Sequence, residues 1–194
     1  YMEPRGLGLD VLVQSWLDAL PHSIPQIVKS KLTYLFDSYM QPAITFMRTH
    51  LKELVPTVDN NLAESLMRIL DCFLEPFQPA ENKPPPSDIM IADCITCIDA
   101  HFIFALVWSV GVTVNEDGRK KFDVFLRNEC ASNNLTYQFP KPGNVYDYLF
   151  LLDTKKWIRW MDIVDPFEID PKMSFAEIVI PTTDSVRNTY MLDL

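Results

Sequence analysis

The sequence predicts a mainly α-helical domain with a C-terminal β-hairpin and a connecting strand. Over residues 9–130, apolar side chains recur every three or four positions, which is the period of helices buried on one face. Beyond residue 130, β-branched and aromatic residues gather in two short runs, residues 145–152 and 157–164, on either side of the polar turn DTKK. The chain has 194 residues, of which 48% are hydrophobic. That is enough to bury the core of one domain.

The first helices are delimited by prolines. Residues 9–20 carry a helical apolar stripe that Pro21 ends. A longer helical pattern covers residues 23–51, and Pro42 within it predicts either two helices or one kinked helix, because proline lacks a backbone donor. Val55 precedes a proline and is therefore expected to be extended.

The stretch VPTVDNNLAESLMRIL predicts the next helix. Thr57, Asp59 and Asn60 are each suitable N-cap residues, because their side-chain oxygens can accept from the first turn. Apolar residues at helical spacing line one face of this helix: Leu62, Leu66, Ile69, Leu70 and Phe73. It should end before Pro76, and the proline-rich residues 75–88 then predict a surface loop.

The remaining elements follow the same logic. Residues 89–112 are expected to form a helix buried on nearly all sides. Asn115 or Asp117 is expected to cap the amphipathic helix that follows, with Phe122, Phe125 and Leu126 facing inward. After the hairpin, SFAEIVIP (residues 174–181) predicts a last short strand, and a helical pattern follows it.

Composition argues against two classes of partner. The net charge is −9 and only Arg119-Lys120-Lys121 forms a basic cluster, so no nucleic acid is expected. The longest apolar run, residues 101–114, is shorter than the ~20 residues that a membrane span needs, so no membrane is expected either. Residues 1–5 lack the pattern of a secretory signal. The four cysteines have apolar neighbours, which indicates free thiols in a reducing compartment.

Motifs for catalysis or metal binding are scarce. Cys94, Cys97 and His101 resemble half of a zinc site, for which Cys72 or Cys130 would have to supply a further ligand. Ordinary core cysteines are the favoured interpretation, because zinc ligands usually lie on turns. The sequence has neither GxxxxGK[ST] nor GxGxxG, and no serine lies in a nucleophile elbow. We therefore expect no enzymatic activity, no metal and no tightly bound cofactor from this chain alone.

Four stretches, in order along the chain, resemble the dynein heavy chain family. YMEPRGLGLDVLVQSWL is similar to the end of the large domain of the second AAA+ module, and HLKELVPTVDNNLAESLMRIL to the start of its small domain. FIFALVWSVGVTVNEDGRKKFDVFLR resembles the two helices that follow, and IVIPTTDSVRNTYMLDL the lead-in to the third module. The amino-acid sequence of these stretches resembles axonemal heavy chains more than cytoplasmic ones.

The resemblance implies a division of the chain into four parts. Residues 1–21 would be the tail of the second large domain, and residues 22–130 the helical AAA+ small (lid) domain. Residues 131–178 would form the hairpin connection, and residues 179–194 the start of the third module. The chain would then be a segment of a longer protein.

The resemblance also implies two nucleotide-facing positions. In AAA+ rings ATP lies between the large and small domains, and the corresponding turn here contains Asn60, Asn61 and Ser65. Many lids carry an arginine at this point, but here none precedes Arg68. A neutral amide can hydrogen-bond a phosphate without neutralising it, which agrees with a site that holds ATP without hydrolysing it. The alternative is that Asn60 and Asn61 are simply helix caps.

The second nucleotide-facing position is on the adenine side of the third module. By resemblance it comprises Val179, Ile180, Pro181 and Thr182, because an apolar, extended backbone can stack on the base and read its edge.

As a whole, the resemblance implies one part of an ATP-driven microtubule motor. The intact ring would bind ATP or ADP with Mg²⁺, and this chain would couple the nucleotide state of its second and third modules. Its partners would be the neighbouring AAA+ modules, with dynein intermediate and light chains and microtubules bound through other parts. The expected location is the cytoskeleton of a cilium or flagellum, the axoneme. The alternative is a stand-alone helical adaptor that binds other proteins through exposed apolar surface.

Overall fold

The computed structural model describes residues 7–81, 84–164 and 181–194. Within these ranges it contains seven α-helices, α1 (Leu7–Ala19), α2 (Gln26–Leu35), α3 (Gln41–His50), α4 (Asp59–Leu74), α5 (Asp88–Ser109), α6 (Glu116–Ser132) and α7 (Thr183–Asp193). One antiparallel hairpin joins β1 (Tyr148–Leu151) to β2 (Lys156–Arg159). The predicted mainly α fold with a hairpin is confirmed. The predicted strand at residues 174–181 lies outside the described residues, apart from Pro181, which belongs to no strand.

The helical stretch around Pro42 stays continuous by changing its type. A π-helical segment, Phe36–Met40, connects α2 to α3, and Pro42 is the second residue of α3. In a regular α-helix the proline ring would crowd the carbonyl four residues earlier. The wider π-helical turn directly before the proline relieves this crowding, so the rod continues. The predicted interruption is therefore a local insertion in the helix.

Helix α5 forms the centre of the core. It packs against α2, α4 and β1, and the side chains of Phe102, Ile103, Ala105 and Leu106 are fully buried. The prediction of a helix buried on nearly all sides is confirmed. The apolar segment is longer than residues 101–114, because residues 88–113 are long and apolar enough to cross a membrane by length and composition. A core helix passes the same test, and 61% of the most apolar window is buried inside this domain.

Two ion pairs fix α5 to its neighbours. Lys31 of α2 places its Nζ 3.4 Å from Oδ2 of Asp99, a carboxylate that is only 3% exposed. On the hairpin side, Lys155 Nζ lies 2.7 Å from Asp93 Oδ1. These pairs connect α5 to α2 on one side and to the hairpin turn on the other.

The structure confirms a predicted cap for α6 but none of those predicted for α4. Asn115 caps α6, since its Oδ1 accepts from Gly118 N at 2.9 Å, and Asp117 does not. None of Thr57, Asp59 and Asn60 caps α4: its N-cap is Val58, with no side-chain hydrogen bond. Asp59 is instead the first helical residue, and its carboxylate is bound elsewhere.

The hairpin strands are shorter than the sequence predicts. Phe150 pairs with Trp157 in the register, but Val145–Asp147 and Trp160–Ile163 form 3-10 turns rather than strand ends. The predicted loop at residues 75–88 also begins with a 3-10 turn, which buries Phe77.

Candidate functional site

Arg48, in the last turn of α3, organises the lead-in loop, which we define as residues 51–58. Its Nη1 donates to Glu53 Oε2, and its Nη2 donates to the Thr57 carbonyl at 2.8 Å and to Asp59 Oδ1 at 2.7 Å. The Nε–H points to the same Asp59 oxygen at 3.2 Å. Thr57 Oγ1 completes the network by donating to the other oxygen of Glu53.

The electrostatics of this network keep Arg48 charged. Burial by itself lowers the pKa of the guanidinium, but the hydrogen bonds from Arg48 to Asp59 and Glu53 outweigh it, so the pKa is raised. Arg48 thus contacts two carboxylates. Glu53 belongs to the lead-in loop, and Asp59 is the first residue of α4.

The turn predicted to face nucleotide lies directly after Asp59. Asn60 is half-buried beside Gly8 of α1, and its amide atoms lie 3.6 and 3.8 Å from the position that a Gly8 Cβ would take. Asn61 is exposed, and Ser65 is half-buried one turn later. None of these three side chains hydrogen-bonds another described residue, and no side chain caps α4. The alternative that Asn60 and Asn61 are helix caps is therefore wrong.

The lead-in loop is held by backbone hydrogen bonds to the connection between α5 and α6. Leu54 N donates to the Thr113 carbonyl at 2.9 Å, and Asn115 N donates to the Lys52 carbonyl at 3.1 Å. Glu53 and Val114 form an isolated antiparallel bridge between these two bonds. We call this contact the backbone clasp; it joins the lead-in loop, which runs into α4, to the connection that follows α5.

The same end of α5 carries an aromatic seat for α7, formed by Phe104, Trp108 and Trp160. Tyr190 of α7 places its ring centroid 5.3 Å from that of Trp160 and 6.2 Å from that of Phe104. The Arg187 guanidinium lies 5.3 Å from the centroid of the Trp108 ring, a cation–π contact. Trp160 is fully buried, which makes the seat a rigid surface.

Tyr146 connects the aromatic seat to the backbone clasp. Its hydroxyl donates to the Gly111 carbonyl at 2.7 Å, and its carbonyl accepts from Trp160 Nε1 at 2.8 Å. Its ring also meets that of Trp108 edge-on, with 6.2 Å between centroids. Burial raises the pKa of Tyr146, so the hydroxyl stays a donor.

Of the predicted adenine-side residues, the structure describes Pro181 and Thr182. Thr182 caps α7: its Oγ1 accepts from Ser185 N at 3.2 Å, and Ser185 Oγ accepts from Thr182 N at 2.9 Å. Pro181 is half-buried next to it. Val179 and Ile180 lie outside the described residues. Within the described ranges no hydrogen bond, ion pair or ring contact links Thr182 to the Asn60–Ser65 turn.

The cysteine motif belongs to the core. Cys94 and Cys97 are both buried, and burial raises the pKa of Cys94 to about 11. His101 stacks on Phe73 with 4.3 Å between ring centroids, and burial lowers its pKa to about 4. In the part of the chain that is described, no three His, Cys, Asp or Glu side chains are grouped to hold a metal. Packing therefore accounts for these three residues.

Sequence reasoning missed the two residues that organise these contacts, Arg48 and Trp108. Arg48 ends a helix and is followed by acidic residues at positions 53 and 59, which is a weak signal. Trp108 belongs to an apolar run in which nothing separates it from the other core residues. The role of each depends on a partner that only the fold brings close.

The helical fold agrees with a lid domain of the AAA+ class, to which the family comparison assigns the chain. The family described as "Dynein heavy chain AAA lid domain" matches residues 32–162, from within α2 to beyond the hairpin. The chain belongs to this family, and the resemblance to dynein heavy chains is confirmed.

Relatives that match all or nearly all of this chain are also dyneins. Dynein axonemal heavy chain 1 of Homo sapiens is 34% identical and covers 100% of this chain, and Dynein axonemal heavy chain 3 of Homo sapiens is 30% identical over 99% of it. The ciliary dynein beta chain of Tripneustes gratilla is 28% identical over 100% of it. The chain spans only 5%, 5% and 4% of the length of these three relatives, respectively.

Proposed function

We propose that this chain is a lid segment of an axonemal dynein motor ring and that it transmits the nucleotide state of the second AAA+ module to the start of the third. The support for the motor is the family and the names of the relatives. The observation that carries the coupling role is the connection from the start of α4, through the backbone clasp and Tyr146, to the aromatic seat under α7.

Each end of this connection has a function in the proposal. At the α4 end, Asn60, Asn61 and Ser65 meet the nucleotide of the second module, and their side chains, which hydrogen-bond no residue within the described ranges, are available as neutral donors. A neutral donor binds phosphate more weakly than a guanidinium does, which suits a site that retains ATP without turning it over. At the α7 end, residues 179–182 line the adenine side of the third module.

The wider role follows from the parent motor. ATP or ADP with Mg²⁺ binds to the intact ring, and this chain alone hydrolyses neither. The chain's direct partners are the neighbouring AAA+ modules. Intermediate chains, light chains and microtubules bind other parts of the heavy chain, within the axoneme of a cilium or flagellum.

The experiment that tests the coupling role uses the heavy chain that carries this segment. Hydrogen exchange of α7 amides is measured with and without Mg·ADP, in the wild type and in Trp108→Leu. We expect nucleotide to change exchange at residues 183–193, and we expect Trp108→Leu to abolish that change while the α4 turn still responds. Trp157→Leu is the matched control, because it removes a hairpin tryptophan that stacks on Phe139, away from α7. If α7 in Trp108→Leu responds as in the wild type, the coupling role is wrong.

A stand-alone adaptor is the second candidate, because the lead-in loop exposes apolar side chains. Leu54, Val55 and Val58 are 64%, 69% and 57% exposed. A lid would cover them with its own large domain, and an adaptor would cover them with a partner. Sequencing the transcript past both ends distinguishes these candidates. A phosphate-binding GxxxxGK[ST] loop on either side supports the ring, and stop and start codons close to the ends support the adaptor.

A further inference from the structure

We infer that Arg48 is a positioning residue for the nucleotide-facing turn of α4, because it draws the Asp59 carboxylate away from that turn. This inference rests on the proposed function, which places Asn60 and Asn61 against nucleotide. The described hydrogen bonds of Arg48 go to Glu53, Thr57 and Asp59, and none goes to either asparagine side chain.

The geometry shows what Arg48 holds. Its hydrogen bonds reach three points in order along the chain: Glu53 in the lead-in loop, the Thr57 carbonyl at its end, and Asp59 in the first turn of α4. Two of its N–H groups share the same Asp59 oxygen, at 2.7 and 3.2 Å. A planar guanidinium makes such a set of bonds, whereas the single ammonium of lysine cannot span it.

The chemistry shows why this matters for an anionic ligand. A free carboxylate at Asp59 would cap α4 or project into its first turn, where it would repel phosphate. Held by Arg48, the carboxylate neither caps α4 nor remains unpaired, and the side chains of Asn60 and Asn61 hydrogen-bond no other residue that the structure describes. Removing Arg48 therefore takes the cation from two carboxylates, Glu53 and Asp59, next to the proposed phosphate position, although Thr57 Oγ1 still donates to Glu53.

Arg127 of α6 provides a matched control. Its side chain is 24% exposed, against 26% for Arg48. It also pairs with a carboxylate, Asp123 at 2.9 Å, and donates to the carbonyl of Pro140 at 2.7 Å. It thus organises a different loop with the same chemistry, so its loss tests for general destabilisation alone.

The experiment compares Arg48→Lys, Arg48→Gln, the double variant Arg48→Gln/Asp59→Asn, and Arg127→Gln in the heavy chain that carries this segment. Mg·ADP is titrated at low and high salt, and binding at this site is followed through hydrogen exchange of amides 59–66. Circular dichroism confirms that each variant is folded. Where Arg48→Gln does not fold, Arg48→Lys is used instead: it keeps the charge but cannot span the three points, so a smaller, less salt-dependent loss of affinity is expected, and unchanged affinity again overturns the positioning role.

The expected result is that Arg48→Gln weakens Mg·ADP at this site by about tenfold or more at low salt, since a charge-assisted network is lost. The loss should shrink at high salt because part of it is repulsion. Asp59→Asn should recover part of the affinity, and Arg127→Gln should leave it unchanged. Unchanged affinity in Arg48→Gln, or an equal loss in Arg127→Gln, overturns the positioning role. If the wild type shows no Mg·ADP response at amides 59–66, the nucleotide-facing assignment itself fails, which is a different outcome.

Discussion

Replacing Gly111 by alanine should destabilise the chain strongly, because Gly111 lies where the backbone clasp meets the aromatic seat. A Cβ at this position would lie 2.6 Å from Phe122 Cε1 and 2.8 Å from the Tyr146 hydroxyl. Phe122 and Tyr146 are 0% and 3% exposed, so neither ring has space to retreat. The methyl group must shift the backbone or displace the Tyr146 hydroxyl from the Gly111 carbonyl.

The magnitude follows from these two costs. Overpacking a filled core costs about 1–3 kcal/mol, and leaving a buried hydroxyl unpaired costs about 1–3 kcal/mol more. We expect the free energy of unfolding to fall by about 2–6 kcal/mol. With a urea slope of about 2 kcal/mol/M, the midpoint should move down by about 1–3 M.

Urea unfolding followed by tryptophan fluorescence is the assay, with Gly8→Ala as the control. A Cβ at Gly8 would meet only Asn60 atoms at 3.6 and 3.8 Å, which is ordinary contact. Alanine also favours a helix over glycine, so Gly8→Ala should leave stability unchanged or raise it by up to about 1 kcal/mol. If Gly111→Ala loses less than about 1 kcal/mol at an unchanged slope, the close approach described here does not exist.

Two further predictions concern buried charge. Lys31→Met should destabilise the chain by about 1–3 kcal/mol in urea unfolding, since it leaves the buried Asp99 carboxylate unpaired. Lys155→Met removes a more exposed pair and should cost less; equal losses would contradict the role of burial. His101 has a pKa lowered by burial from 6.5 to about 4, so the unfolded chain binds its proton first as the pH falls. The contribution of His101 to the free energy of unfolding is fully present above pH 6.5 and should fall by up to about 3 kcal/mol as the pH decreases to 4. His101→Phe keeps the stacking on Phe73 and should make the urea midpoint less dependent on pH over that window. An unchanged pH dependence would show that His101 is not buried in its neutral form.

The helices could be predicted because their signal is local. The apolar period of α1, α4 and α6 reports one buried face, and the Asn115 cap satisfies amides only a few residues away. The hairpin could be recognised but its length could not. Val145–Asp147 and Trp160–Ile163 have strand-like composition, yet both form 3-10 turns, and the Trp160 indole joins the two turns by donating to the Tyr146 carbonyl. This contact joins positions 14 residues apart in sequence, and the alternation of apolar and polar residues that predicts a strand does not report it.

The α4 cap failed for a related reason. Asp59 has the right side chain in the right place for a cap, and local chemistry alone would use it. Arg48 competes for the same carboxylate from another helix and wins, because a charged acceptor bonds a guanidinium more strongly than it bonds a backbone amide. The candidate site thus depends on whether Arg48 or the backbone of α4 binds the Asp59 carboxylate, and only the tertiary structure determines which of them does.

The types of contact also explain why coupling would run through the end of α5 rather than through the whole lid. Most contacts between α4 and α5 are apolar, and apolar surfaces can slide by a small amount at little cost. The backbone clasp is different, because its two hydrogen bonds at 2.9 and 3.1 Å weaken steeply with displacement. A movement of the lead-in loop must therefore carry Thr113 and Asn115 with it, and through Gly111 and Tyr146 it reaches the seat on which α7 rests. Directional bonds transmit position, and within the described residues a series of them leads from the lead-in loop to the seat.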